Sequence, residues 1–112
     1  MSERNIANLM LMLEMVEKIQ RYIQDTHSLE EFEKDDKTFD ACMMDFIVLG
    51  ELVWKLDDEF QGKHNHIEWY KIRGFRNFAA HEYFGIDAEK VWEIIQTKIP
   101  ELKNNLQKII NG

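Results

Sequence analysis

Arg76, Asn77 and His81 are the residues of this sequence whose types and spacing best fit a chemical reaction. An arginine fork binds two phosphate oxygens and neutralises charge that develops at phosphorus. A histidine titrates near neutral pH and can accept or donate a proton. Asn77 and His81 lie four residues apart, so on a helix they share one face and the amide can orient the imidazole. This combination favours phosphoryl transfer. On RNA the nucleophile can be the substrate's own 2′-OH, which requires neither a metal nor a covalent enzyme intermediate.

The spacing of Arg76 and His81 constrains how their side chains can meet. Five residues correspond to about 140° around an ideal helix, at roughly 100° per residue. The two side chains therefore converge only if the helix ends near Ala80 and His81 turns back. The Tyr-Phe-Gly sequence at 83–85 permits such a turn. From spacing alone a second interpretation stays open, namely a helix C-terminus whose histidine satisfies the last carbonyl groups.

Helical periodicity dominates the chain and predicts the elements that must position these residues. The predicted helices cover about 4–24, 28–34, 36–59, 67–80 and 87–110, the last broken or kinked at Pro100. Capping residues mark three of the predicted N-termini, and they are Ser28 with Glu31, Asp35 or Asp36, and Asp87. We expect a polar loop over 60–66 and a turn over 83–86. The sequence therefore predicts an all-α, up-down bundle of four to six helices.

Length and amino-acid composition limit the classes of protein to which this chain can belong. The chain has 112 residues, of which 45% are hydrophobic, and length predicts a single domain over 1–112. No stretch reaches the roughly 18 consecutive apolar residues of a membrane span, and the charged N-terminal segment does not have the pattern of a signal peptide. The lone Cys42 has no partner for a disulfide or a thiolate zinc site. We therefore expect a soluble cytoplasmic protein without membrane contact.

Charge is distributed unevenly along the chain. The net charge is −7, and residues 25–60 carry twelve acidic residues against three lysines. Residues 61–81 reverse the balance, with four Lys or Arg residues against Glu68. An acidic protein is a poor non-specific nucleic-acid binder, because phosphate affinity comes largely from Lys and Arg. We expect a small local basic patch that holds one or two phosphates, although such a cluster can also merely solvate a helix face.

Several other residues of chemical interest have structural interpretations that we favour. Cys42 lies among apolar residues at helical spacing, so we expect an inert core thiol. His64 and His66 form too weak a set for a metal site, and we predict neither metal nor cofactor. For the methionines we favour packing in the core or on a dimer face over a functional methionine surface, and they are Met1, Met10, Met12, Met15, Met43 and Met44. For Trp54, Trp69 and Trp92 we favour anchors of helix packing over base-stacking platforms.

Gly50 and Glu51 stand out within the long predicted helix over 36–59. A glycine in a helix interior costs about 0.5–1 kcal/mol relative to alanine, so it indicates the close approach of another element. A carboxylate beside that contact could hold an arginine or a backbone amide of a partner. A solvated surface glutamate is the alternative.

Residues 76–83, Arg-Asn-Phe-Ala-Ala-His-Glu-Tyr, resemble the Arg-x4-His-x-Tyr motif of HepT-like toxins in the HEPN superfamily. The resemblance extends to Leu-Gly-Glu at 49–51, to Trp69, to Tyr-Phe-Gly-Ile-Asp at 83–87 and to Val-Trp-Glu-Ile-Ile at 91–95. It covers most of the chain beyond about residue 36. One departure is Glu68, where the family pattern has proline before the tryptophan.

The resemblance implies a metal-independent endoribonuclease, the toxin of a bacterial or archaeal toxin–antitoxin module. Arg76 then matches the phosphate-binding arginine, His81 the general acid or base, and Asn77 the supporting polar residue. Tyr83 matches the tyrosine that a cognate minimal nucleotidyltransferase antitoxin modifies with AMP. Glu82 places a further carboxylate beside the motif, and its contribution, like that of Glu51, stays open.

A homodimer is expected on two grounds. The resemblance implies one, and 2′-OH activation together with protonation of the leaving group needs two proton-transfer partners, whereas each chain offers one histidine in the motif. Met12, Met15 and Phe78 are candidates to cover part of the interface. The competing hypothesis is a non-catalytic HEPN protein that serves as a partner or substrate-docking module of a nucleotidyltransferase.

Overall fold

Six helices make up the described part of the chain. The computed structural model describes residues 1–81 and 87–112, with no strand in either range. The helices are α1 (Glu3–Tyr22), α2 (Leu29–Lys34), α3 (Asp36–Trp54), α4 (Asp58–Lys63), α5 (Trp69–His81) and α6 (Ala88–Asn111). The predicted all-α bundle is confirmed. Within these ranges, none of the helices has the length and apolar content needed to cross a lipid bilayer.

The predicted N-caps of three helices are confirmed. The Ser28 Oγ accepts a hydrogen bond from the amide of Glu31 at 3.1 Å, which starts α2. The Asp35 Oδ1 accepts from the amide of Thr38 at 3.1 Å and starts α3. These side chains satisfy amide donors that the first helical turn leaves without an intrahelical partner, as Asp87 does at the start of α6.

The C-terminal end predicted for the long helix over 36–59 is wrong. The helix stops at Trp54, and the segment expected as a polar loop over 60–66 contains most of α4. Contacts from α1 favour the break. The Asn8 amide donates to the carbonyl of Lys55 at 3.3 Å, and the buried Asn5 exchanges hydrogen bonds with Asp57. Because those contacts come from 47 and 52 residues away, local periodicity could not reveal them.

Pro100 does not break the last helix, so of the two predicted effects, a break or a kink, the break is wrong. α6 is 24 residues long and contains Pro100 in its interior. A proline in a helix interior removes one backbone hydrogen bond and costs about 3 kcal/mol. The carbonyl left without a donor is that of Gln96, four residues before Pro100. Both residues are exposed, so water can bind to that carbonyl. The neighbouring Ile99 and Leu102 are buried, and their packing holds the helix together.

The core lies between α1, α3 and α6, and α5 is attached to its side through α3. α1 packs against α3 and α6, α2 packs against α6 and α3, and α5 packs chiefly against α3. Phe46 of α3 and Phe75 of α5 meet edge to face, with ring centroids 5.2 Å apart. At the start of α5 the buried Trp69 donates its indole N–H to the carbonyl of His64 at 3.1 Å. These contacts fix the helix that carries Arg76 and Asn77.

Candidate functional site

Arg76 lies where α3 and α5 approach most tightly. A Cβ atom built on Gly50 would lie 2.7 Å from the Cβ of Arg76 and 2.8 Å from its backbone nitrogen. Only glycine fits at that separation without a shift of the backbone. The close approach predicted from Gly50 is therefore confirmed, and the approaching element is α5, the helix that carries Arg76.

Glu51 forms an ion pair with Arg76 across the two helices. The Nε–H of Arg76 donates to Glu51 Oε1, and the two side chains are 46% and 48% exposed. Arg76 Nη1 lies 3.5 Å from Oδ1 of Asn77, at the limit of a hydrogen bond. Glu51 therefore pairs with an arginine of the same chain while its side chain stays about half exposed. It holds the guanidinium by one edge while the side chain stays open to solvent.

A second pair of side chains, Trp54 and Arg73, also forms a contact between α3 and α5. The guanidinium carbon of Arg73 lies 4.6 Å from the centroid of the Trp54 ring. Trp54 comes three residues after Glu51 on α3, and Arg73 comes three residues before Arg76 on α5. The helices therefore run antiparallel at this contact, as an up-down bundle requires.

The expectation that Trp54 anchors helix packing is wrong. Its side chain is 64% exposed, whereas Trp69 is buried and Trp92 packs against Phe32 with centroids 5.2 Å apart. Trp54 lies on the outer face of α3, because Val53 just before it and Leu56 just after it are buried in the core. Sequence reasoning missed the pair because it treated the three tryptophans alike. The signal that was available is the spacing of Trp54 from Gly50 and Glu51 on one helix.

The remaining predicted site residues are only partly described. The backbone of His81 ends α5, close to the predicted end at Ala80. Four predictions concern parts of the chain outside the described residues, namely the His81 side chain, Glu82, Tyr83 and the turn over 83–86. The structure therefore brings Arg76 and Asn77 together and leaves the roles of His81 and Tyr83 as predictions.

Cys42 is buried, as predicted, and burial raises the pKa of its thiol to about 12. Such a thiol stays protonated and is a poor nucleophile. His64 and His66 lie with ring centroids 6.1 Å apart, and His64 packs on Phe60. Within the described ranges no group of three or more His, Cys, Asp or Glu side chains is placed to hold a metal ion.

The three residues predicted as candidates for a dimer interface differ in how deeply they are buried. Met12 is fully buried inside the single chain, so it cannot contact a partner. Met15 and Phe78 are partly buried and pack on the core. Phe78 also lies under the ammonium group of Lys90, at 5.5 Å from the ring centroid. The expectation of core packing is thus confirmed for Met12 and Met43, while Met1, Met10 and Met44 are exposed.

Comparison with known proteins identifies relatives over most of the chain. The sequence profile of the ribonuclease HepT-like family matches residues 12–109. A "Putative RNase" of Caldanaerobacter subterraneus is 37% identical over 74% of this chain and 74% of its own length. A "Putative RNase" of Methanocaldococcus jannaschii is 34% identical over 74% of this chain and 69% of its own length.

One relative is a longer protein whose name gives a second activity besides that of a ribonuclease. The "Gamma-glutamylcyclotransferase and putative RNase" of Methanocaldococcus jannaschii is 33% identical over 88% of this chain, and the match covers 44% of that protein. No solved structure is significantly similar to the chain. The match over residues 12–109 confirms the resemblance drawn from residues 76–83, and the chain belongs to the ribonuclease HepT-like family.

Proposed function

We propose that this protein is a metal-independent endoribonuclease that acts as the toxin of a toxin–antitoxin module. The observation that carries the proposal is the position of Arg76 on α5. Its side chain is half exposed, its guanidinium is held by Glu51 at the Nε edge, and its Cβ and backbone nitrogen pack tightly against Gly50. An arginine anchored in this way still has N–H donors at Nη1 and Nη2 for phosphate oxygens, in addition to the Nη1 contact with Asn77 Oδ1 at 3.5 Å.

The proposed reaction is an internal attack on RNA. A histidine base accepts the proton of the 2′-OH, the 2′ oxygen forms a bond to phosphorus, and the bond from phosphorus to the 5′ oxygen breaks. A second acid protonates the departing 5′ oxygen. The products are a 2′,3′-cyclic phosphate and a 5′-hydroxyl. Arg76 neutralises the charge that develops on the phosphoryl oxygens, and His81 supplies the proton transfer.

The two proton transfers lead to the proposed homodimer, in which each protomer contributes one His81. A twofold axis near the motif brings both copies of the motif to one RNA phosphate. Asn77, one residue after Arg76, supports the site by its position beside the guanidinium.

Inactivation is proposed to occur at Tyr83, two residues after His81. A cognate nucleotidyltransferase antitoxin would transfer AMP to the phenol oxygen, with pyrophosphate leaving from ATP. The adduct adds bulk and negative charge next to the site, so it excludes RNA sterically and repels its phosphates.

Cleavage of total RNA in EDTA tests the proposal. Wild type, Arg76→Ala and His81→Ala are compared, with the intact mass of each protein recorded first. We expect cleavage by wild type, with 5′-hydroxyl and cyclic phosphate ends, and a loss of roughly 10²–10⁴-fold in each variant. His66→Ala serves as the matched control, because it removes a histidine outside the motif.

The outcomes separate the proposal from its main competitor. No cleavage by a wild-type protein of unmodified mass, together with a stable complex with a nucleotidyltransferase, supports a non-catalytic docking module instead. Cleavage that survives His81→Ala, or products with 5′-phosphate ends, contradicts the proposed mechanism. A protein heavier by AMP is treated to remove the adduct and assayed again.

A further inference from the structure

Trp54 and Arg73 form an exposed pair that the proposed reaction does not use. The indole is 64% exposed, although it is one of the largest apolar side chains of the protein. One face of the ring is covered by the Arg73 guanidinium, 4.6 Å from its centroid. Since most of the ring remains accessible, its other face is open to solvent.

Arg73 differs from the other cations of the basic segment over 61–81. Its three companions have carboxylate partners, in the pairs Lys63–Glu59, Lys71–Glu68 and Arg76–Glu51. Among the residues that the structure describes, Arg73 contacts an aromatic ring and no carboxylate. This contact with the ring uses none of the guanidinium's N–H donors on an oxygen acceptor, so Arg73 has donors available for a phosphate.

The pair is also placed in line with the proposed catalytic arginine. Arg73 and Arg76 are three residues apart on α5, and Glu51 and Trp54 are three residues apart on α3. Three residues of helix rise about 4.5 Å, which is comparable to the spacing of about 3.4 Å between successive nucleotides of a stacked strand. A strand that runs along α5 with one phosphate on Arg76 would therefore bring its next nucleotide to Trp54 and Arg73.

We infer that Trp54 and Arg73 form a binding subsite for one nucleotide of single-stranded RNA, beside the phosphate held by Arg76. The open face of the indole stacks on a base, and Arg73 holds the adjoining phosphate through its in-plane donors. Stacking accepts any base because every base has a π face, so the subsite supplies affinity without sequence preference. The inference rests on the proposed ribonuclease function, since it takes RNA to be the substrate.

The test measures binding separately from cleavage. The probe is a fluorescein-labelled, unstructured 12-nucleotide RNA with 2′-O-methyl groups throughout, which has no free 2′-OH to attack phosphorus. Its affinity is measured by anisotropy at several salt concentrations for wild type, Trp54→Leu and Arg73→Ala. We expect Trp54→Leu to weaken binding by roughly 5- to 100-fold, the range of one lost base stack. We expect Arg73→Ala to lower the slope of log affinity against log salt by about 0.7, the value for one phosphate contact on a single strand.

Matched controls come from the same two helices. Met44→Ala removes an apolar side chain of similar exposure from α3, and Lys71→Ala removes one positive charge from α5. Both controls should bind the probe within about twofold of wild type, since isolated surface substitutions have small effects. Trp54→Phe should retain most of the affinity because a ring remains. On ordinary RNA, Trp54→Leu should raise KM and leave kcat nearly unchanged.

Three outcomes separate this inference from the proposed function. If wild type cleaves RNA but Trp54→Leu and Arg73→Ala bind the probe like wild type, the subsite is refuted and the ribonuclease stands. If the variants lose affinity while wild type cuts no RNA, the subsite stands as a nucleic-acid site and the ribonuclease proposal fails. If Trp54→Leu converts a dimer to monomers in size-exclusion chromatography, Trp54 belongs to a subunit interface and the inference is overturned.

Discussion

At the scale of single residues, the division of Arg76's N–H donors allows the side chain to be held in place and still be able to bind a phosphate. The Nε–H is used by Glu51 of the neighbouring helix, and Nη1 lies 3.5 Å from Asn77 Oδ1. A guanidinium has five N–H donors, so the terminal groups still have capacity for a phosphate. A surface ion pair of this exposure adds about 0–1 kcal/mol to stability. The role of Glu51 is therefore better sought in orientation than in folding.

Substitution of Glu51 separates orientation from charge. Glu51→Gln keeps an oxygen that accepts from Arg76 Nε but removes a negative charge next to a polyanion, so we expect KM for RNA to fall about two- to fivefold. Glu51→Ala removes the acceptor as well, and we expect kcat to fall roughly tenfold, equivalent to about 1.4 kcal/mol, as the guanidinium loses its orientation. Steady-state cleavage of one labelled RNA measures both constants. Equal kinetics for the two variants would show that Glu51 does not position Arg76.

Asp45 is a residue whose ionisation opposes folding. It is 4% exposed, and its Oδ2 has no hydrogen-bond partner among the described residues. Burial raises the pKa of this carboxyl above its ordinary value of 3.8, and the nearby Lys18 and Arg21 counteract only part of that effect. Between 3.8 and the raised value, the folded chain binds more protons than the unfolded chain. Asp45 therefore makes the protein less stable as pH rises through that window, and the loss persists at neutral pH.

Asp45→Asn removes the charge and should stabilise the protein. We expect its free energy of unfolding at pH 7 to exceed that of wild type by about 1 kcal/mol, because a neutral amide costs less to bury than a carboxylate. The difference should shrink as pH falls below the pKa of Asp45, where wild type is neutral too. Urea unfolding between pH 4 and 7 measures both effects. Glu33→Gln, at an exposed position of α2, is the control, and a difference that is independent of pH would contradict this assignment.

At the scale of helices, the contact of α3 with α5 determines where the site is built. Gly50 lets the backbone of α5 approach α3, and the approach brings Arg76 beside Glu51 and Arg73 beside Trp54. One small residue thus sets the distance between two helices that supply side chains to the same surface. The edge-to-face contact of Phe46 with Phe75 stabilises the same pairing from within the core.

Gly50→Ala should therefore damage both stability and activity. The new Cβ would lie 2.7 Å from Arg76 Cβ and 2.8 Å from its backbone nitrogen, so the helices must separate. Overpacking of this kind costs about 1–3 kcal/mol, and we expect a matching loss in the free energy of unfolding together with reduced cleavage.

Gly74→Ala is the matched control on α5, because a Cβ there meets no described atom within 4 Å. Alanine is a better helix former than glycine by about 1 kcal/mol, so Gly74→Ala should stabilise the chain and leave cleavage unchanged. Urea unfolding and RNA cleavage are measured on both variants. If Gly50→Ala behaved like Gly74→Ala, the tight contact would have no bearing on the site.

Local sequence predicts the helices well where local interactions fix them. The caps at Ser28, Asp35 and Asp87 follow from hydrogen bonds within a few residues, and their positions were predictable. The end of α3 was not, because Asn5 and Asn8 reach it from α1.

The same distinction applies to the site. The close approach at Gly50 follows from the cost of glycine in a helix, so it was predictable, and the partner helix was not. The exposure of Trp54 follows from the face of α3 that it occupies, since Val53 and Leu56 around it are buried. Its ring partner, Arg73, lies on another helix, so local sequence could not reveal the pair.

At the scale of the whole molecule, an acidic protein that acts on RNA needs its cations to be few and well placed. The net charge is −7, and three of the four cations in the basic segment over 61–81 have carboxylate partners. Under the proposed function, a single chain presents only a small phosphate-binding surface, around Arg73 and Arg76. Two chains related by a twofold axis would double that surface and bring a second His81 to the same RNA.

Heterodimers with one defective protomer test the shared site directly. Wild type and His81→Ala chains with different affinity tags are co-expressed, and tandem purification isolates the mixed dimer. If both histidines act on one phosphate, the mixed dimer lacks an acid or a base and its rate should fall roughly 10²-fold or more, close to that of the His81→Ala homodimer.

Independent sites give a different result, because a mixed dimer would then keep about half of the wild-type rate per dimer. A mixed dimer of wild type with Lys71→Ala controls for tags and assembly, since Lys71 is paired with Glu68 and is placed outside the proposed machinery. Its rate should match wild type. Half activity in the His81 heterodimer would refute a site completed across the dimer while leaving Arg76 and His81 of one chain as a sufficient site. A chain that is monomeric at assay concentration yet cleaves RNA would refute it as well, and the second proton transfer would then have to come from water or another group of the same chain.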